Sequence, residues 1–205
     1  MIKITASDVN NLRKISGAGI MDCKNALVEA NGDTETAIEI LRKKGQKVAA
    51  KRADRESSEG AAIAKVNSDN TIGVIISLNC ETDFVAKNES FVTLANQLAE
   101  LAISHETMDD FLNCEIDSMS VNEKLIQQTG VIGEKLVIGN FEKVSAGYVG
   151  KYIHAGNKIA TLVGFSKPVD GIEEASKNVA MQAAAMNPIA LDENGVDQKT
   201  IEKEI

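Results

Sequence analysis

At Gly60 the hydrophobic pattern of this chain switches from helical spacing to alternation, so any fold must place a helical unit ahead of a β-containing one. Before the switch, Thr5-Ala6-Ser7-Asp8 is a helix start, and Val9, Leu12 and Ile15 follow at i, i+3, i+6. Gly17-Ala18-Gly19 ends that helix. A second helix over Ile20 to Ala30 has Met21, Ala26, Leu27 and Ala30 as apolar contacts. Asn31-Gly32 is a turn, and Asp33 caps a third helix with Ala37, Ile38 and Leu41 inside. Arg42, Lys43, Lys44, Lys47, Lys51, Arg52 and Arg55 make the following stretch dense in charge, and Ser57-Ser58-Glu59-Gly60 breaks it. That stretch is either a basic patch for RNA or a solvated helix end and connector. No aromatic residues are interleaved, which favours the connector.

After the switch the pattern repeats itself. Ala61–Asn67, a turn at Ser68-Asp69-Asn70 and Thr71–Asn79 read as a hairpin, followed by a helix from Asn88 to Ile103 with Phe91, Leu94, Leu98 and Leu101 on one stripe. Residues 104–119 are irregular and acidic. Ser120 and Glu123 form a capping box for a helix ending at Thr129-Gly130, and Leu136–Val144 reads as a strand. Gly147–His154, the turn Ala155-Gly156-Asn157 and Lys158–Ser166 then mirror the first hairpin: Gly147 lies 87 residues after Gly60, as Ile159 does after Ile72. A helix from Ile172 to Met186 follows, stopped by Asn187-Pro188, and Ile201 and Ile205 mark one more polar helix from Asn194. The expected architecture is α+β: a three-helix domain over 1–45, a linker over 46–59, and a duplicated hairpin-and-helix core with antiparallel sheets. The core divides into subdomains over 60–140 and 141–205, the second incomplete at its C-terminal end.

Composition excludes several classes of function. No apolar run approaches the ~18 residues of a membrane helix, and Met1-Ile2-Lys3-Ile4-Thr5 has no signal-peptide shape. Cys23, Cys80 and Cys114 are too few and too widely spaced for a disulfide framework or a CxxC zinc site, which fits a reducing, cytosolic setting. Residues 1–55 carry 11 Lys/Arg against 7 Asp/Glu, whereas the remainder carries 11 against 23. A chain so acidic over most of its length repels nucleic-acid phosphates, while its basic start can steer a partner. Phosphate-loop, dinucleotide, nucleophile-elbow and HExxH motifs are all missing. His105 and His154 have no evident nucleophile beside them, and Glu81 next to Cys80 is expected to raise the thiol pKa.

The outlying segment is Asn79-Cys80-Glu81-Thr82-Asp83-Phe84-Val85-Ala86-Lys87, placed directly after an apolar strand. Two readings are open. Thr82 or Asp83 caps a helix and Phe84 staples into the core, or a rigid junction presents Phe84 to a partner with Asp83 as a charge beside it.

Thr82-Asp83-Phe84-Val85 in this setting resembles the signature of the bacterial elongation factor Ts family. So does Leu12-Arg13-Lys14-Ile15-Ser16-Gly17-Ala18-Gly19-Ile20-Met21-Asp22-Cys23-Lys24-Asn25-Ala26-Leu27, with Glu29 to Asp33 behind it and Tyr152-Ile153-His154 downstream. The resemblance implies a guanine-nucleotide exchange factor for elongation factor Tu, cytoplasmic, with no cofactor or metal of its own, no catalytic chemistry, and no membrane or direct nucleic-acid partner. It implies that the first domain is of ubiquitin-associated type and docks on the GTPase domain of Tu through Arg13, Ile20, Met21 and Lys24. Ile20 stands where the family usually has Met, a swap that keeps apolar volume. Thr82, Asp83, Phe84 and Val85 match the segment that dislodges magnesium from Tu. The family usually continues into a coiled coil and a C-terminal module, so the chain is expected to be a truncated form. The alternative is a passive binding module of ubiquitin-associated type without exchange activity.

Overall fold

Caps and inward stripes set the helical unit. In the computed structural model, which describes residues 4–204, Thr5 and Asp8 form a reciprocal capping box at the start of α1 (Ala6–Ser16). The helix α2 (Ile20–Glu29) follows, and Asp33 accepts from Thr36 N at the start of α3 (Thr34–Lys51). Val9, Leu12, Cys23, Ala26, Leu27 and Ala37 form the bundle core, with Ile38 and Leu41 packed against it.

Two expected core residues face outward instead. Ile15 is 63% exposed, because each i, i+3 step falls short of a full turn and Ile15 sits about 120° around α1 from Val9. Met21 is 61% exposed; the inward stripe of α2 is Cys23, Ala26, Leu27 and Ala30.

The core begins with the antiparallel pair β1 (Glu59–Val66) and β2 (Ile72–Cys80), in register from Glu59 opposite Cys80 to Val66 opposite Gly73. Next come α4 (Asp83–Ala86), α5 (Glu89–Ala102), α6 (Met108–Asn113), a two-residue ribbon of β3 (Glu115–Ile116) and β4 (Met119–Ser120), and α7 (Val121–Ile132). The strand β5 (Val137–Ser145) pairs antiparallel with the other edge of β2, with a bulge at Ser77/Leu78. A second hairpin of β6 (Tyr148–Ile153) and β7 (Ala160–Phe165) leads into α8 (Ile172–Met186), a 3₁₀ turn at Glu193–Gly195 and α9 (Gln198–Glu204). Ile205, expected with Ile201 to mark the last helix, lies outside the described residues.

The plan is thus α+β with two hairpins, each followed by a helix. A Cβ at Gly60 would meet the Leu78 carbonyl oxygen at 2.2 Å, and one at Gly147 the Ser166 carbonyl oxygen at 2.2 Å, so both hairpins open with the same close backbone approach. Ile63, Val74, Ile76 and Leu78 of the sheet bury against Phe91, Leu94, Leu98 and Ala102 of α5. Each such large side chain contributes roughly 1.5–3 kcal/mol. Segment 104–119, expected to be irregular, contains α6: Thr107 caps it through Asp110 N at 3.1 Å, and Phe111 is fully buried with its ring centroid 5.8 Å from that of Phe141.

Glycine positions in α3 and α7 differ most from expectation. The helix α3 continues six residues past Gly45 to Lys51, into the stretch read as a linker, and α7 continues past Gly130 to Ile132. Both glycines lie inside helices because the two helices cross there: a Cβ on Gly130 would stand 2.4 Å from the Gly45 Cα. Gly130, read as a helix end, and Gly45 are the contact by which the three-helix unit seats on the core. The true end of α7 is Gly133, whose φ of 83° makes the left-handed cap.

Candidate partner-binding site

The junction between β2 and α5 is held by three segments that meet beneath it. Strand β2 ends in the buried Cys80. The turn Glu81-Thr82 then leaves two backbone N–H groups without strand partners, and both donate to Glu134 Oε2, at 3.1 and 3.0 Å. The Thr82 hydroxyl donates to Glu134 Oε1 at 2.6 Å, and Thr82 Oγ1 accepts from Val85 N at 3.4 Å as the cap of α4. Reciprocally, Glu81 accepts from the Lys135 backbone N–H at 2.7 Å and from Arg52 Nη1 at 2.7 and 2.8 Å. The Lys135 ammonium donates to the carbonyls of Ala53 and Arg55, at 2.7 and 3.1 Å. The turn after α7 and the chain leaving α3 therefore both grip the base of the junction.

On that base the four signature residues divide their tasks. Thr82 caps, Val85 packs against the core, and Asp83 pairs with Lys87 at 2.6 Å. Phe84 is 84% exposed. The reading in which Phe84 staples into the chain's own interior is excluded, since an apolar ring inside a core does not keep most of its surface in water. Arg13, Ile20, Met21 and Lys24 are all exposed around the corner between α1 and α2, with Ile20 at 52% and Met21 at 61%. The outward Ile15 adds apolar surface to the same end of α1.

Electrostatics follow from this geometry. The Lys135 N–H, and then the Arg52 guanidinium, hold the Glu81 carboxyl below the usual carboxylate range. The hydrogen bond from Lys87 does the same for Asp83. Burial, with the Glu134 carboxylate behind it, pushes the Cys80 thiol up to about 11, so the expected inertness stands but Glu134, not Glu81, is the anion that adds to it. Among the described residues no group of three or more His, Cys, Asp or Glu is placed to hold a metal ion. His154 is exposed, with Nδ1 2.9 Å from the Tyr152 hydroxyl.

Because the folded-state pKa of Glu81 lies below its unfolded value, the stabilisation it brings is complete above the ordinary Glu pKa of about 4.3 and is lost as pH falls through the depressed value. In Glu81→Gln, stability measured by urea midpoint is expected to fall less steeply between pH 5 and 3 than in the parent. Parallel slopes would show that the grip on Glu81 adds no charge-dependent stability.

Sequence reasoning missed Glu134, Lys135 and Arg52. They lie 52, 53 and 30 residues from Thr82 along the chain, and no local pattern ties them to it. The available hint was Gly133 just ahead of Glu134, which marks a turn able to aim a side chain back at the sheet end.

The fold and tip define a class: an α+β protein with a helical bundle seated on its core and an aromatic side chain held out on a braced β-to-α junction. The family model described as Elongation factor TS matches residues 81–205. The elongation factor Ts of Christiangramia forsetii is 68% identical over the whole chain, which spans 75% of that protein's length. That of Flavobacterium psychrophilum is 64% identical, again over the whole chain and 75% of the relative. That of Rhodopirellula baltica is 47% identical, with the chain spanning 63% of it. The chain belongs to the elongation factor Ts family, which places it in translation elongation. No helix among the described residues is long and apolar enough to cross a membrane.

Proposed function

We propose that this chain is a guanine-nucleotide exchange factor for elongation factor Tu, acting in the cytoplasm without catalytic chemistry or a cofactor of its own. The observation that carries the reading is the 84% exposure of Phe84 on a junction whose base is hydrogen-bonded from three sides. A ring held out there contributes little to the chain's own core and keeps its apolar area available to bury against a partner.

The mechanism is differential binding. A GTPase holds its nucleotide with a phosphate-binding loop and a magnesium ion that bridges the phosphates. The factor accelerates release by binding the nucleotide-free form more tightly than the GDP form, and linkage requires nucleotide to weaken the factor's own binding by the same ratio. Shifting a two-state equilibrium by about 10⁴-fold takes about 5.5 kcal/mol, whereas burying one Phe yields about 1.5–3 kcal/mol. Phe84 must therefore share the work. Thr82 and Val85 hold its base, Asp83 brings a charge towards the magnesium site, and the bundle, of ubiquitin-associated type, grips the GTPase domain through Arg13, Ile20, Met21 and Lys24. The exposed Asp83–Lys87 pair contributes little by itself and opens readily when a partner arrives.

The deciding experiment follows release of fluorescent GDP from elongation factor Tu with and without this chain over a range of magnesium concentrations. Acceleration that is greatest at high magnesium, where factor-free release is slow, and that narrows as magnesium is withdrawn, supports the reading. No acceleration at any magnesium concentration overturns it.

A further inference from the structure

We infer that Glu134 is a positioning residue for the Phe84 tip, and that the reciprocal grip of Glu134 and Glu81, anchored to the helical unit through Arg52 and Lys135, sets the direction in which the ring points. This rests on the exchange-factor reading and extends it to residues outside the signature.

Four backbone steps separate the end of β2 at Cys80 from Phe84, and α4 by itself supplies only a long cap, Val85 N to Thr82 Oγ1 at 3.4 Å, two backbone bonds, Ala86 N to the Thr82 carbonyl at 3.2 Å and Lys87 N to the Asp83 carbonyl at 3.1 Å, and the exposed Asp83–Lys87 pair. A four-residue helix with so slight a cap does not hold a direction unaided. Glu134 supplies what the local sequence lacks: one carboxylate takes both free N–H groups of the turn and the Thr82 hydroxyl, so the peptide planes of Glu81 and Thr82 are fixed at once. Charge-assisted bonds of this kind are about twice as strong as neutral ones. The Glu81 side chain returns the grip to the residue after Glu134, through the Lys135 N–H. Without that return the two turns could slide past each other.

The second leg runs to the bundle. Arg52 is the C-terminal cap residue of α3, and its guanidinium reaches the same Glu81 carboxylate, while the Lys135 ammonium caps the carbonyls of Ala53 and Arg55. The cap residue of α3 and the turn after α7 thus share the carboxylate of Glu81, the first residue beyond the strand that carries the tip. The seat of the bundle and the aim of the ring are set by the same few bonds, which is what a factor that holds with one part and wedges with another needs. In such a device a displacement of the wedge by about 1 Å lowers the rate far more than the affinity.

The test titrates this chain against elongation factor Tu loaded with fluorescent GDP, for the parent, E134A, E134Q and F84A. In E134A the maximal stimulated release rate is expected to fall about tenfold, while the factor concentration giving half effect changes less than twofold, because the docking surface is untouched. E134Q keeps an acceptor for the two N–H groups and is expected to lie between E134A and the parent. If E134A fails to fold by circular dichroism, E134Q decides alone: a lowered maximal rate at unchanged half-effect concentration supports the inference. Parent-like maximal rates in the folded variants, or a loss found only in the half-effect concentration, overturn it. F84A separates the two levels. If F84A is slow and the Glu134 variants are not, the positioning role fails and the wedge survives; if F84A itself matches the parent, the wedge reading fails.

Discussion

Phe84→Ala is expected to lower factor-stimulated GDP release from elongation factor Tu by ten- to a hundredfold while leaving the thermal midpoint of the chain unchanged. The range comes from the ring itself: about 1.5–3 kcal/mol of burial, gained only when the partner's pocket has opened, converts to about one to two powers of ten in rate. The unchanged midpoint follows from the exposure of the ring, which leaves the fold almost no contact to lose. On the proposed mechanism such a variant removes an interaction made late in the reaction, so its effect is expected in the maximal rate, with the proposed docking through α1 and α2 retained. Stopped-flow release at saturating factor checks the first claim, and calorimetry the second. A lowered midpoint would mean that the ring supports the junction, and normal release would mean that it wedges nothing.

Gly130→Leu is expected to have the larger effect on structure. Even the first carbon of a side chain there would stand 2.4 Å from the Gly45 Cα, and the obstacle is helix backbone that cannot rotate aside. Overpacking in a core costs about 1–3 kcal/mol when neighbours can shift, and here α3 and α7 must part. The expected result is a bundle that remains helical but no longer seats on the core. Its signs would be faster proteolysis in segment 52–58, a broadened or split thermal transition, and exchange activity reduced at least tenfold because the two attachment points lose their fixed spacing. A single sharp transition at the parent's temperature would show that the seam gives way more easily than its geometry indicates. Gly45→Ala is expected to be much milder, since a Cβ there would stand 3.6 Å from the Gly130 Cα, an ordinary contact.

What the residues disclosed in advance, and what they did not, divides along chain distance. Caps were legible because a cap is a three-residue event: Thr5 with Asp8, Asp33 and Ser120 with Glu123 all stand where the pattern places them. So were both hairpins, whose alternation and turn residues are local, and the α5 stripe. Errors came where distant chain overrides local preference. Gly130 read as a stop, and the first domain was expected to end at 45, but Gly45 and Gly130 are the sites of a helix crossing, a contact 85 residues apart in sequence. Thr107 was a cap signal of the ordinary kind, yet α6 went unseen because acidic residues around it hid the single buried Phe111 that justifies the helix. At the candidate site, the protruding members were visible as an odd juxtaposition of Asp83 and Phe84 after an apolar strand. The supporting members, Glu134, Lys135 and Arg52, are ordinary surface residue types whose importance exists only in three dimensions.

The two hairpin-and-helix copies are not fastened equally. Helix α5 buries Phe91, Leu94, Ala95, Leu98, Ala99 and Ala102, whereas α8 buries only Ser176 and Ala180, with Gly150 beneath Ser176 and the Thr161 hydroxyl bonded to the Ala180 carbonyl. Local opening begins where fewest apolar atoms must be re-wetted. Amide protons of the later copy therefore trade with solvent ahead of those beneath the tip, and the molecule breathes from its rear while its business end stays shut.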